Sequence, residues 1–254
     1  MHLLVLQHAR AEHPGIFRQF LQEDGHSWDA VHLDEGEALP ALDGYDGLWV
    51  MGGPMDVWQE ETYPWLVAEK AFIQQAVKEK GLPFLGLCLG HQLLAEALGG
   101  SVGKSDIPEI GVCEVQLTEA GASGILCDGL PERMRCLQWH GAEIKPLPAG
   151  AKVLETSPDC AVQAMSWGPR AYSLQFHIEI EQNTVQDWGK IPEYAASLTA
   201  ALGANGQKML EAGCAAHMQA FNAMAERLYL NWLQTAARCL LYTSDAADEL
   251  SCVG

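Results

Sequence analysis

The chain has 254 residues, 48% hydrophobic and 19% charged, a composition that supports a sizeable core and one globular domain. Fifteen Lys and Arg against 33 Asp and Glu give a net charge of −18, and so acidic a surface repels phosphate backbones and anionic lipid heads, which excludes nucleic acid and membrane as expected partners. Eight cysteines without a C-x-x-C pair, an N-terminus without a basic n-region or cleavage site, and no apolar run of membrane-spanning length fit reduced thiols and a cytoplasmic location.

In chain order, Leu3 to Leu6 reads as a buried strand and Pro14 to Asp24 as a helix, with Ile16, Phe17, Phe20 and Leu21 on one face and Gly25 as its stop. Ala30 to Leu33 is a second strand, and Gly47 to Met51 a third that runs into Gly52-Gly53-Pro54. Trp65 to Lys80 has helical periodicity. Pro83 to Leu87 is then a short apolar strand, followed after an abrupt turn by a helix over Gln92 to Leu98. Strands separated by helical segments of this length predict a doubly wound, mostly parallel α/β sheet with helices on both faces. From Val112 the texture changes to short β-type runs, Val112 to Leu117, Met134 to Trp139, Lys152 to Glu155, Ala161 to Ser166 and Ala171 to Ile178, which predict an additional smaller antiparallel or mixed region. Asn183 to Leu202 and Gln207 to Leu233 close the chain as helices, the latter with an apolar stripe read as core packing. One domain over 1–238 is expected, with its motifs in 47–182 and its C-terminal helices in 183–238. Residues 239–254 fit neither the stripe nor a terminal motif and resemble translated adapter sequence, so a non-native or disordered tail is expected there.

The chemistry gathers at Cys88. It sits at the turn between strand and helix, flanked by Gly86 and Gly90, which is what the crowding of a nucleophile elbow requires. The first turn of a helix favours negative charge on the sulfur. A small buried hydrophobe is the competing reading. A reactive cysteine needs a base and the base an orienting group. Ala171-Tyr-Ser-Leu-Gln-Phe-His-Ile-Glu179 supplies both, because His177 and Glu179, two apart in extended chain, project to the same side. The other histidines show no pair at metal-ligand spacing, so neither a metal nor a cofactor is expected.

Gly86-Leu-Cys-Leu-Gly-His-Gln92, Gly52-Gly53-Pro54 and Gln175-Phe-His-Ile-Glu179 resemble, in order and spacing, the three signature blocks of the class I glutamine amidotransferases of the Cys-His-Glu type. Met51-Gly-Gly-Pro-Met-Asp56, Tyr63-Pro-Trp-Leu66, Pro108-Glu-Ile-Gly111 and Gln138-Trp-His-Gly141 are similar to free-standing members related to the glutaminase domain of GMP synthase. The resemblance covers residues 1–182. It implies that Cys88 attacks the γ-carbonyl of a glutamine-like substrate, that His177 shuttles protons and that Glu179 orients it. It also implies an oxyanion hole from the backbone N–H groups of Gly53 and Leu89, beside Gly52, although a plain turn is the alternative for the two glycines. Gln92 is implied to bind the glutamyl portion, Gly52 to let the backbone approach the substrate closely, and Glu109 and His140 to line the pocket. His91 receives no catalytic role. No synthetase domain is read in the remaining chain, so the implied ammonia acceptor is water or a separate synthetase subunit. Many glutaminase domains wait for a partner to order the oxyanion loop, and this chain falls on one or the other side of that division. Three functions stay open: glutaminase, hydrolase of a γ-glutamyl peptide or conjugate with Val57 to Tyr63 and Trp58 shaping the leaving-group side, or an inactive binding module.

Overall fold

In the computed structural model, residues 1–249 are described, with side chains described through residue 237. The chain opens with β1 (His2–Gln7), α1 (Phe17–Glu23), β2 (Ser27–His32), β3 (Gly47–Val50), α2 (Trp65–Gln74), β4 (Phe84–Leu87) and α3 (Leu89–Ala97). It continues with β5 (Val102–Leu117), α4 (Glu119–Ala122), β6 (Arg133–Ile144), β7 (Ala151–Thr156), β8 (Ala164–Trp167) and β9 (Ala171–Leu174). Three helices follow, α5 (Thr184–Trp188), α6 (Pro192–Leu202) and α7 (Gly206–Glu249). All strands join one nine-stranded sheet in the order β2-β1-β3-β4-β9-β8-β7-β5-β6. Strands β2, β1, β3, β4 and β9 run parallel. Pairs from β9 to β6 are antiparallel. The expected antiparallel region is therefore continuous with the parallel sheet.

Alternation along the inner strands explains the two-faced core. Leu3, Val5, Trp49, Met51, Leu85 and Leu87 point to one side and pack with Phe17 and Leu21 of α1 and with Phe221, Leu228 and Trp232 of α7. Leu4, Leu6, Leu48, Val50 and Phe84 point to the other side, against Leu66 and Ile73 of α2 and Leu93 and Leu94 of α3. A period of two with both faces apolar is the pattern of a buried parallel sheet. Trp49 and Trp232 meet edge to face at 5.3 Å, and the Trp232 indole N–H donates to the Phe84 carbonyl, which fixes α7 on the sheet. No helix among the described residues is long and apolar enough to cross a membrane. The expected tail over 239–254 falls on residues whose side chains lie outside the described set.

Several boundaries differ from the periodicity, each for a local reason. The helix expected from Pro14 starts at Phe17, because the Pro14-Gly15 turn is diverted so that the Ile16 N–H bonds the Glu179 carbonyl at 2.8 Å. The helix expected over Asn183 to Leu202 is two. Ile191 is extended at φ −80, ψ 123 ahead of Pro192, the conformation that a following proline imposes, and Pro192 opens α6. Strand β5 begins ten residues before Val112, with a register slip between Lys104 and Glu109 that accommodates Pro108.

Candidate active site

Cys88 follows β4 directly and caps α3, with φ 50 and ψ −101; among the described residues it alone combines a side chain with a positive φ. Such backbone costs about 1–3 kcal/mol and persists where the surroundings over-determine it. Here the surroundings are two glycines. A Cβ on Gly90 would lie 2.1 Å from the Val50 carbonyl oxygen, and one on Gly86 would lie 2.6 Å from that of Gly90. The Cys88 N–H bonds the Leu174 carbonyl at 2.8 Å, which ties the nucleophile to the end of β9.

β9 stops at Leu174, four residues short of the run expected from sequence. Gln175 donates its N–H to Gln163, and His177 then exchanges a reciprocal pair of backbone bonds with Leu137 of β6, at 2.9 and 3.0 Å. That crossing pins the backbone of His177 between the two halves of the sheet. Its Nδ1–H donates to Glu179 Oε1 at 2.6 Å, while Glu179 Oε2 accepts the Ile178 N–H at 3.0 Å. Trp188 of α5 stands edge-on to the imidazole at 4.7 Å. Burial opposes a charge on His177, yet Glu179 and a hydrogen bond with Cys88 outweigh it and hold the imidazole pKa well above its ordinary value. The imidazole is thus poised to carry a positive charge beside the sulfur.

Cys88 opens into a cavity of about 640 Å³. Gly53, Leu89 and Gln92 line it from the parallel half of the sheet, Lys104, Ile110, Trp139 and His140 from the antiparallel half, and Glu193, Tyr194 and Ser197 from α6. Neither the Gly53 nor the Leu89 N–H has a protein acceptor among the described residues; Leu89 opens α3, where no intrahelical acceptor exists. Close packing forces glycine at both loop positions. A Cβ on Gly52 would lie 2.5 Å from a Glu12 carboxylate oxygen, and one on Gly53 would lie within 2.8 Å of Met55, His8 and Leu89.

The remaining sequence candidates fall at different depths. Gln92 donates to Gln175 Oε1 at 3.0 Å, and Gln175 donates in turn to Cys88 Sγ at 3.6 Å. His140 reaches the cavity, whereas Glu109 lies behind it at 3.2 Å, accepting from Ser157 at 2.8 Å and Gln163 at 2.6 Å. Glu109, His140 and Cys160 each bring one possible metal-ligand atom within 4.8 Å of the others. Burial pushes the Cys160 thiol up to about 12, so a divalent ion would have to expel its proton to use the sulfur. His91 is buried with Nε2–H on the Val162 carbonyl and Nδ1 on the Ser173 hydroxyl, and burial lowers its pKa to about 3. Trp58 is 39% exposed and does not line the cavity; Trp139 and Tyr194 supply the aromatic wall.

Gln175, which opens the third signature block without a role assigned to it, and three residues that no motif marked, Glu12, His8 and Tyr194, complete the surroundings. Gln175 bridges Gln92 and Cys88. Glu12 is buried and accepts from the Tyr194 hydroxyl; its burial raises the carboxyl pKa, while His177 and the tyrosine draw it down. His8 lies under the glycine loop, with its Nδ1 on the Gly52 carbonyl at 2.8 Å. A polar residue ending the apolar run of β1 is the one sequence signal that could have marked His8 and Glu12, since strand carboxyl ends carry sites in such folds.

Comparison with known proteins agrees with this geometry. GMP synthase [glutamine-hydrolyzing] from Aeropyrum pernix is 40% identical over 152 residues, which is 59% of this chain and 27% of that protein, so the chain spans about a quarter of its length. The glutamine amidotransferase-like protein YfeJ of Salmonella typhimurium is 34% identical over 70% of this chain and 76% of its own. The crystal structure of a glutamine amidotransferase from Thermotoga maritima superposes with a TM-score of 0.80 at 29% identity, covering 93% of this chain and 98% of that one. The family model described as glutamine amidotransferase class-I matches residues 17–187, and the chain belongs to that family.

Proposed function

We propose that the chain hydrolyses a γ-glutamyl amide through a thioester on Cys88. The observation that carries this reading is Cys88 at a positive φ opening into the cavity, with His177 bonded to Glu179 and raised in pKa by Glu179 and Cys88, and the Gly53 and Leu89 N–H groups without acceptors among the described residues. Cys88 Sγ attacks the γ-carbonyl carbon and its proton passes to His177. Negative charge gathers on the carbonyl oxygen, where the N–H groups of Gly53 and Leu89 stabilise it without reorganisation. Collapse expels the amine, protonated by His177, and leaves the γ-glutamyl thioester. Water, deprotonated by the same imidazole, releases glutamate and restores the thiol. Glu179 keeps Nδ1 protonated and offsets the imidazolium charge. Gln92, held by Gln175, and His140 face the substrate; Gly52 and Glu109 act from behind the cavity wall. The reaction calls on no cofactor. With glutamine as substrate the product is ammonia, delivered to water or to a separate synthetase subunit.

A second reading keeps the chemistry and enlarges the leaving group to a γ-glutamyl peptide or conjugate. The cavity favours it: about 640 Å³ falls in the range that encloses drug-sized ligands, and Trp139 and Tyr194 wall it with aromatic surface. Glutamate release from free glutamine and from a γ-glutamyl dipeptide, with Cys88→Ala as blank, tests both. Cys88→Ala is expected to remain folded and lose all hydrolysis; residual turnover would place the nucleophile elsewhere. Turnover of glutamine supports the first reading, and preference for the dipeptide supports the second.

A further inference from the structure

His8 follows β1 directly and is enclosed, stacked on Trp65 at 5.4 Å. Its two ring nitrogens face two oxygen atoms. Nδ1 lies 2.8 Å from the Gly52 carbonyl oxygen and Nε2 lies 2.8 Å from Glu69 Oε1, a carboxylate on α2 that is itself completely buried. Nδ1 must carry a proton to bond the Gly52 carbonyl, and Nε2 meets Glu69 either as a second N–H facing the carboxylate or as an acceptor for the protonated acid. The catalytic scheme above uses neither residue, and a buried ionisable pair is costly enough to need a reason.

The reason lies in the peptide between Gly52 and Gly53. The Gly52 C=O and the Gly53 N–H belong to one planar unit, and every described peptide is trans, so the two bonds point in opposite directions. A donor that grips the carbonyl therefore aims the N–H away from itself. With glycine on both sides, this peptide has more rotational freedom than any other residue pair would allow. We propose that His8 and Glu69 form a positioning pair that locks the Gly52-Gly53 peptide with its N–H toward the cavity, so that the oxyanion hole is formed within this chain before any partner or substrate binds. This inference rests on the functional reading above, which gives the Gly53 N–H its task. His8 is a positioning residue: it touches the loop and never the reacting atoms. Burial opposes a charge on its ring, but Glu69, the Gly52 carbonyl and Glu12 together raise its pKa, which favours protonation of the ring.

The side-chain amide of asparagine sits where Nδ1 of histidine sits, whereas that of glutamine sits where Nε2 does. His8→Asn, combined with Glu69→Gln to avoid an unpaired charge, retains the donor to Gly52. His8→Gln and His8→Leu do not. Loss of a whole oxyanion donor costs roughly 10²–10³ in turnover, so a loosened one in His8→Gln or His8→Leu should cost roughly tenfold to a hundredfold in kcat with KM little changed. The asparagine double variant should stay within a fewfold of the wild type. Alkylation of Cys88 by iodoacetamide, which needs no oxyanion hole, should proceed equally in all. A His8→Leu protein with kcat within twofold of the wild type, or an asparagine variant as slow as the leucine one, overturns the proposal. Should the wild type hydrolyse neither glutamine nor a γ-glutamyl dipeptide, the functional reading fails and the positioning claim is read from structure. ¹⁵N NMR of the wild type should then show Nδ1 of His8 protonated, and a crystal structure of His8→Leu should show the Gly52-Gly53 peptide rotated. An unmoved peptide, or an Nδ1 without its proton, overturns it.

Discussion

At the scale of single residues, the site is a chain of donors and acceptors in which each member has one task. Glu179 illustrates the point, since one carboxylate oxygen takes the His177 Nδ1–H and the other the backbone of Ile178, which leaves it no freedom to turn. Glu179→Gln keeps that shape but removes the charge that raises the His177 pKa, and the amide can present a donor where the imidazole needs an acceptor. Its kcat for glutamate release is expected to fall on the order of 10²–10⁴, by analogy with the loss of an orienting carboxylate in other triads, with little change in unfolding temperature. These residues were legible because they lie in short stretches whose chemistry is local: an elbow with flanking glycines, and a histidine two positions from a carboxylate. His8, Glu12 and Tyr194 were not legible. Each is a polar residue in an unremarked stretch, and its role exists only because β1, the glycine loop and α6 meet in space.

At the scale of elements, the sequence states where a strand or helix can form, and tertiary contacts decide where it stops. The inner strands β1, β3 and β4 were readable because burial on both faces makes them continuous apolar runs. The β-type run read from sequence continues past β9 to Ile178, but after Leu174 the chain departs from β9's own pairing to bond β6 through His177, and nothing in its periodicity signals that departure. The split at Ile191 was available in principle, because Pro192 forbids a helical residue before it. The junction of β4 and α3 leaves no room for a methyl group. Gly90→Ala would drive a methyl to 2.1 Å from the Val50 carbonyl, which belongs to rigid sheet backbone and cannot yield. We expect a destabilisation of several kcal/mol, of the order seen for overpacked cores, read as a lowered urea midpoint; an unchanged midpoint would show that α3 can shift along the sheet.

At the scale of the whole molecule, the same dense packing buries ionisable groups away from the site. Glu155 on β7 is enclosed, with Oε1 accepting from the Cys127 thiol at 3.7 Å and Oε2 without a partner among the described residues, and burial raises its carboxyl pKa from 4.5 to about 8. The sign follows from proton counting. Below pH 4.5 folded and unfolded chains both hold the proton; between 4.5 and about 8 only the folded chain does, so stability falls as pH rises through that window and levels off above it. Glu155→Gln should remove this decline, worth on the order of a few kcal/mol, and the difference in urea midpoint between variant and wild type should widen from pH 5 to pH 8. A difference constant with pH would mean that Glu155 is charged or solvated in the folded state.

The cavity itself has two authors. The reacting groups come from the carboxyl ends of β4 and β9, while Lys104, Ile110, Trp139 and the face of α6 that carries Glu193, Tyr194 and Ser197 come from other stretches of the chain. Reaction and diet are thus encoded separately. Under the proposed reaction, substitutions of the side chains that β5, β6 and α6 turn to the cavity redirect which molecule is consumed, provided that β6 keeps the backbone bonds of Leu137 to His177 and α6 keeps the Tyr194 hydroxyl on Glu12, so the walls can be rewritten residue by residue around a fixed centre.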